Sequence, residues 1–173
     1  DKDGVAIVED NLFVLDKNKK NLKINTLGEK EPPVLSIFRR FSAPVLWESD
    51  LSIDDYLFLF LNDNDYFSRW DSGQFLMRKI IKNRLSNNAN YSLEDRFIIA
   101  IKKSIKTLEI KDPFFLATLL TMPGLAELES LFEKVDPINI YKETLNFQVL
   151  IGNEIFKELR LIAKNLLVNI HHE

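Results

Sequence analysis

From Leu51 onward the apolar side chains recur at the spacing of a helix face, and each run is closed by a proline, glycine or polar cluster. That pattern limits the chain to a set of short-looped helices packed against one another. Ser52 with Asp55 three residues on is a capping-box pair, and Ile53, Tyr56, Leu57, Phe60 and Leu61 form a wide apolar stripe behind it. Asn62-Asp63-Asn64-Asp65 breaks this helix and caps a second, whose stripe runs through Phe67, Trp70, Gln74, Met77, Ile80 and Ile81. A polar loop, Asn83 to Tyr91, precedes a third helix with Ser92 as its expected cap and Asp95 at N3. Asp112-Pro113 opens a fourth, Met122-Pro123-Gly124 stops it, and Leu125 to Phe132 makes a short fifth. Asp136-Pro137 starts a sixth, which Gly152 is expected to break or bend, so that Ile155 to Leu167 forms a seventh.

The N-terminal part reads differently. Val5-Ala6-Ile7-Val8 and Leu12-Phe13-Val14-Leu15 are short apolar runs, and Asp16 to Asn21 is a polar turn before the weaker alternation Leu22 to Leu27. A hairpin of the second and third runs is expected. Two or three strands are marginal alone in water, so the sheet they belong to is expected upstream of Asp1. The chain opens Asp-Lys-Asp-Gly, and we expect it to be a fragment that begins within a larger protein. Pro32-Pro33 excludes helix and marks a linker. The expected division is 1–46 and 47–173.

Composition excludes several functions. A net charge of −3, without a basic cluster, does not suit nucleic acid. No apolar run reaches the ~20 residues that span a bilayer. There is no cysteine, so thiol chemistry, disulfides and cysteine-held zinc are excluded, and a cytoplasmic location is expected. The only histidines, His171 and His172, are adjacent at the C-terminus and cannot face one another at helical spacing. No interior histidine stands ready to activate a serine. Asp54-Asp55 and Asp63-Asp65 read as helix-capping charge rather than as an acid–base pair. No catalytic, cofactor-binding or metal-binding residue is therefore assigned. Arg39-Arg40 reads either as a carboxylate clamp or as two charges at a junction, and Trp70 reads as a core residue between the first two helices, with Arg69 tied to a neighbouring acid.

Two stretches carry a resemblance. Leu35-Ser36-Ile37-Phe38-Arg39-Arg40-Phe41-Ser42-Ala43-Pro44-Val45 resembles the LLRxFSAPV signature of bacterial-type M1 aminopeptidases, with Ile37-Phe38 in place of Leu-Leu. Asp65-Tyr66-Phe67-Ser68-Arg69-Trp70-Asp71-Ser72-Gly73-Gln74 resembles that family's D-x-F-x-R-W-(D/E)-A-x-Q helix start, with Ser72 in place of Ala. A weaker match runs from Thr121-Met122-Pro123-Gly124 to Val135-Asp136-Pro137-Ile138.

The motif positions are Arg39, Phe41, Ser42, Ala43 and Pro44 in the first stretch and Phe67, Arg69, Trp70 and Gln74 in the second. The resemblance implies a mostly α chain: an antiparallel HEAT- or armadillo-like helical array, preceded by a short β-hairpin remnant of an Ig-like sandwich. It also implies a role as the non-catalytic part of a zinc aminopeptidase, walling the substrate chamber. Its partners would be the upstream catalytic and β-domains and the peptide substrates. The family's zinc site (H-E-x-x-H and a further Glu) and its G-A-M-E-N-type loop have no counterpart here. Zinc is accordingly expected only in the intact parent. The alternative is a free-standing helical module that binds a peptide or protein.

Overall fold

The computed structural model describes residues 13–23, 33–86, 91–108, 112–134 and 136–170, with side chains up to 164. Among them are six helices: α1 (Ile53–Asn62), α2 (Tyr66–Leu85), α3 (Tyr91–Leu108), α4 (Pro113–Leu119), α5 (Leu125–Glu129) and α6 (Pro137–Ile170). Local chemistry explains most of the starts. The Ser52 hydroxyl accepts from the Asp55 N–H at 3.2 Å while the Asp55 carboxylate accepts from the Ser52 N–H at 2.8 Å, so two orphan donors of α1 are satisfied reciprocally. Asp65, Asp112 and Asp136 accept from the N–H three residues on, at 2.9, 2.8 and 3.1 Å. In two of these cases proline follows at N1, where its missing donor costs nothing.

The core lies where α1, α2, α3 and α6 meet. Phe60, Phe97, Phe147, Leu76, Met77, Ile80, Ile81, Ile101 and Ile155 are fully buried there. The rings of Phe60 and Phe97 sit 5.3 Å apart at 55°, a tilted pair that joins α1 to α3. On α2, Gly73 lies against the Phe60 ring of α1. A methyl group on Gly73 would lie 3.0 Å from Cε2 of Phe60, so the missing side chain is what admits the ring.

Three expectations need correction. First, the hairpin does not appear among the described residues: Phe13–Lys23 forms no strand, and Phe13, Val14, Leu15 and Leu22 are exposed. The runs at 5–8 and 24–27 lie outside the described residues. Second, Tyr91 already stands in α3, so Ser92 is a helical residue rather than the residue before the first turn. Third, Gly152 does not divide the last segment. Helix α6 runs unbroken from Pro137 to Ile170, because Phe147, Ile151, Ile155 and Ile162 bury on both sides of the glycine and outweigh its poor propensity. The expected seventh helix is the C-terminal half of α6.

A methyl group on Gly152 would meet nothing within 4 Å. Gly152→Ala is therefore expected to stabilise the chain by about 0.5–1 kcal/mol, since it removes unfolded-state freedom without a clash. Chemical denaturation checks this, and a lower midpoint would contradict it.

Candidate functional site

The segment that enters the helices, 33–50, is pinned to the corner between α1 and α2. Its centre is a single tight turn, Arg39–Phe41, and the corner is Asp63-Asn64-Asp65. Arg39 reaches across with one guanidinium nitrogen 2.7 Å from Asp63 Oδ1 and 3.2 Å from Ser36 Oγ, and the other on Asn64 Oδ1. The Arg40 N–H donates to both oxygens of Asp65, each at 3.1 Å. Asp65 also accepts from the N–H and hydroxyl of Ser68, both at 2.9 Å, and its own N–H donates to Asp63 Oδ1 at 2.8 Å. Phe41 packs its ring 5.2 Å from Phe67, which lies 5.8 Å from Trp70. Phe38 meets Trp47 edge-on at 5.9 Å. The two sequence motifs are thus the two halves of one junction.

Electrostatics reinforce it. Burial alone would raise the Asp65 pKa, but the N–H groups of Ser68 and Arg40, the Ser68 hydroxyl and the Arg39 charge outweigh burial and hold it below the ordinary carboxylate value. A depressed folded pKa contributes stability that is complete above the unfolded value of about 3.9 and is lost as pH falls through the folded one.

Asp71 behaves oppositely. It lines a cleft of about 20 Å³ with Ser36, Phe38, Trp47, Tyr56 and Ser68, room for one water. Burial raises its pKa; Arg78 opposes this and Glu127 adds to it. The protonated form is favoured by folding, so stability from this site is present below about pH 3.9 and lost as pH rises through the folded pKa. Asp71→Asn is expected to raise the melting temperature at pH 7, and the gain should shrink as pH is lowered towards 4. A gain that does not change with pH would contradict this origin.

The remaining motif positions fall in different places. Arg69, not Trp70, is the deeply buried member of the pair: Arg69 is 7% exposed, and Trp70 is half-buried at the edge of the core. Arg69 Nε donates to the Phe60 carbonyl at 3.0 Å, one of the acceptors left over at the C-terminal end of α1, and its guanidinium lies over the Phe115 ring at 5.6 Å. Its hydrogen bonds go to this carbonyl and to Ser104 Oγ at 3.5 Å, where an acid was expected. Burial lowers the Arg69 pKa, with the Asp63 and Tyr66 side chains opposing.

Gln74 is buried and ties α2 to the α4–α5 connection through the Thr121 carbonyl at 2.9 Å. Ser42 and Pro44 are exposed and Ala43 half-buried, so these three shape the turn's exit rather than the interlock.

Sequence reasoning missed a second polar cluster. Arg84 on α2 is bidentate to Glu94 on α3, at 3.1 Å to each oxygen, and donates to Glu143 on α6 at 3.2 Å, with its guanidinium 5.6 Å over the Phe147 ring. The signal was available: Glu94 stands beside Leu93 on the same buried face as Phe97 and Ile101, where an acid needs a partner.

Among the described residues no group of three or more His, Cys, Asp or Glu is placed to hold a metal ion, and His171 and His172 lie outside them. The oxygens of Asp65 and Oδ1 of Asp63 are already engaged by N–H and guanidinium donors. These residues do not fit zinc, and no step through zinc is assigned to them. No helix among the described residues is long and apolar enough to cross a membrane.

Residues 53–171 match the family model described as "Domain of unknown function (DUF3458_C) ARM repeats". The chain belongs to this ARM-repeat family, found in M1 aminopeptidases. It is 29% identical over 167 residues to Aminopeptidase N of Caulobacter vibrioides, which covers 96% of this chain and 19% of that protein. It is 31% identical over 133 residues to Aminopeptidase N of Escherichia coli, covering 75% of this chain and 15% of that protein. Among solved structures, aminopeptidase A of Legionella pneumophila in complex with aspartic acid superposes with a TM-score of 0.77 at 25% identity, over 94% of this chain and 19% of that one. The chain therefore spans less than a fifth of each of these relatives.

Proposed function

We propose that this chain is a non-catalytic helical portion of a zinc-dependent M1 aminopeptidase that removes N-terminal amino acids from peptides. On this reading residues 1–46 are the end of an Ig-like β-domain and its linker, and 47–173 belong to the helical domain. The helices wall the substrate chamber and hold the catalytic domain in place. Zinc, the peptide substrate and the hydrolytic residues belong to the rest of the polypeptide, in the cytoplasm.

The observation that carries this reading is the interlock at residues 36–41 and 63–68. It joins a non-helical segment to the start of an ARM-type array through Arg39, the Arg40 N–H, Asp63 and Asp65. Such a joint sets the angle at which the entering segment meets the helices. A second support is α6, which leaves Ile138, Tyr141, Leu145, Val149 and Phe156 exposed along one stripe at helical spacing. An apolar stripe of that length suits packing against further protein.

The test is hydrolysis of alanyl and arginyl chromogenic substrates, with zinc content by elemental analysis, for this chain and for a polypeptide that carries it together with an upstream catalytic domain. Turnover and one zinc per chain in the longer polypeptide, with neither in the 173 residues, is the expected result. Zinc-dependent turnover by the 173 residues alone would overturn the assignment.

A further inference from the structure

Helix α6 separates its charges by side. Its acids, Glu143, Glu154 and Glu158, turn to the body of the array: Glu143 receives Arg84 at 3.2 Å, Glu154 receives Lys102 at 2.7 Å, and Glu158 lies near the same lysine. Its basic residues, Lys142, Lys157, Arg160 and Lys164, are all exposed and take part in no ion pair among the described residues. At helical spacing they fall along one edge of the apolar stripe that runs from Ile138 to Phe156, while the other edge carries the uncharged Thr144 and Gln148. The outer side of α6 is therefore an apolar strip about 27 Å long, at 1.5 Å per residue, with a positive rail along one border. Gly152 leaves a notch in it between Val149 and Phe156, where a neighbouring backbone can come close.

Two observations say what covers this strip. In a stacked helical array each layer buries a face on the layer before it, and the outer face of a terminal layer is polar. The inner side of α6 packs on α2, α3 and α5, and its outer side is apolar, which is the pattern of an interior layer. A second copy of the chain matches poorly in charge. Two α6 helices meeting antiparallel about a two-fold axis would set the same edge against itself, with Lys142 near Lys157 of the other copy.

We infer that the outer face of α6 seats another helix of the intact polypeptide, one outside these 173 residues, whose own apolar stripe is bordered by Asp or Glu where it meets Lys142, Lys157, Arg160 and Lys164. This rests on the reading of the chain as part of a longer protein, and adds the chemistry of the neighbouring layer. Apolar burial along the strip drives the docking. The edge charges set the register and reject helices with a basic border.

Carbodiimide coupling tests this, because it joins a lysine amine directly to a carboxylate in contact with it. It is run on the intact polypeptide, as a mixture of isotope-labelled and unlabelled copies, and read by mass spectrometry. Lys142 and Lys157 are expected to couple, within one copy, to Asp or Glu outside the 173 residues. Coupling between labelled and unlabelled copies would make a second copy the occupant and overturn the inference. Coupling confined to acids of these 173 residues would overturn it too, as would uncoupled lysines in a polypeptide that binds phosphatidylserine vesicles through α6.

A second readout is thermal. The triple variant Lys142→Glu, Lys157→Glu, Arg160→Glu should shift the melting temperature of the 173-residue chain by no more than about 2 °C, since these side chains meet only water there. In the intact polypeptide it should lower the melting temperature by clearly more. Equal shifts in the two would overturn the inference. Neither readout uses hydrolysis, so the docking can fail while the aminopeptidase assay holds, and the reverse.

Discussion

Replacing Arg84 by methionine is expected to cost about 3–5 kcal/mol of stability, the range for breaking a buried ion pair from one side. Glu94 is only 3% exposed, and Arg84 supplies hydrogen-bond donors to both of its carboxylate oxygens. The substitution keeps most of the side-chain volume over Phe147, so the loss reports the stranded carboxylate rather than a cavity. Burial alone would lower the Arg84 pKa, but hydrogen bonds and charge from Glu94 and then Glu143 outweigh it and raise the value. The charged form of the guanidinium is thus favoured by its carboxylate partners in the fold. Pairing Arg84→Met with Glu94→Leu should recover most of the loss, because a buried pair and an apolar pair of similar volume differ little. Denaturant unfolding of the two variants decides it. A single variant as stable as the parent chain would mean that the cluster does not hold α2, α3 and α6 together.

Truncating Phe97 to alanine is expected to cost about 3–5 kcal/mol, from lost burial and the cavity left behind. Phe97 is fully buried on α3 against Phe60, and Phe60 itself fills the space that Gly73 leaves open on α2. Removing one ring therefore loosens three helices. For a chain of this size the melting temperature should fall by roughly 6–20 °C. A fall of a degree or two would mean that the neighbours close over the site and that the core is softer than its burial implies. Trp70, half-buried at the edge of this core, should tolerate truncation better than Phe97, although a tryptophan is the more conspicuous apolar residue in the sequence.

That contrast shows where a single sequence is readable. Ser52 with Asp55, Asp112 before Pro113 and Asp136 before Pro137 each act through hydrogen bonds within three residues, so the chain states them locally. The two motifs at 35–45 and 65–74 could be singled out as pieces, and Asp63 and Asp65 were legible as capping charge. Their mutual docking was not, because Arg39 and Asp63 are twenty-four positions apart and only the fold brings them together.

Arg69 and Trp70 were misread for a related reason. Ranking side chains by hydrophobicity puts the indole inside, yet the buried face of α2 carries an arginine because α1 ends there with the Phe60 carbonyl still needing a donor. Gly152 misled in the other direction. Its poor helix propensity costs about 1 kcal/mol, which is less than the packing of Phe147, Ile151 and Ile155 contributes to keeping α6 whole. Ser92 matched a cap pattern that α3, beginning at Tyr91, does not use.

The central claim is that the two motifs form one joint, which holds the entering segment on the array through Arg39 and the corner of α1 and α2. A double-mutant cycle on Arg39→Ala and Asp63→Ala, read by denaturant unfolding, tests this directly. Asp63 is buried and receives the Arg39 guanidinium at 2.7 Å, so the two losses should overlap, with a coupling energy of about 0.5–3 kcal/mol. Losses that simply add would mean that the two motifs stabilise the chain separately and that the joint does not exist in solution.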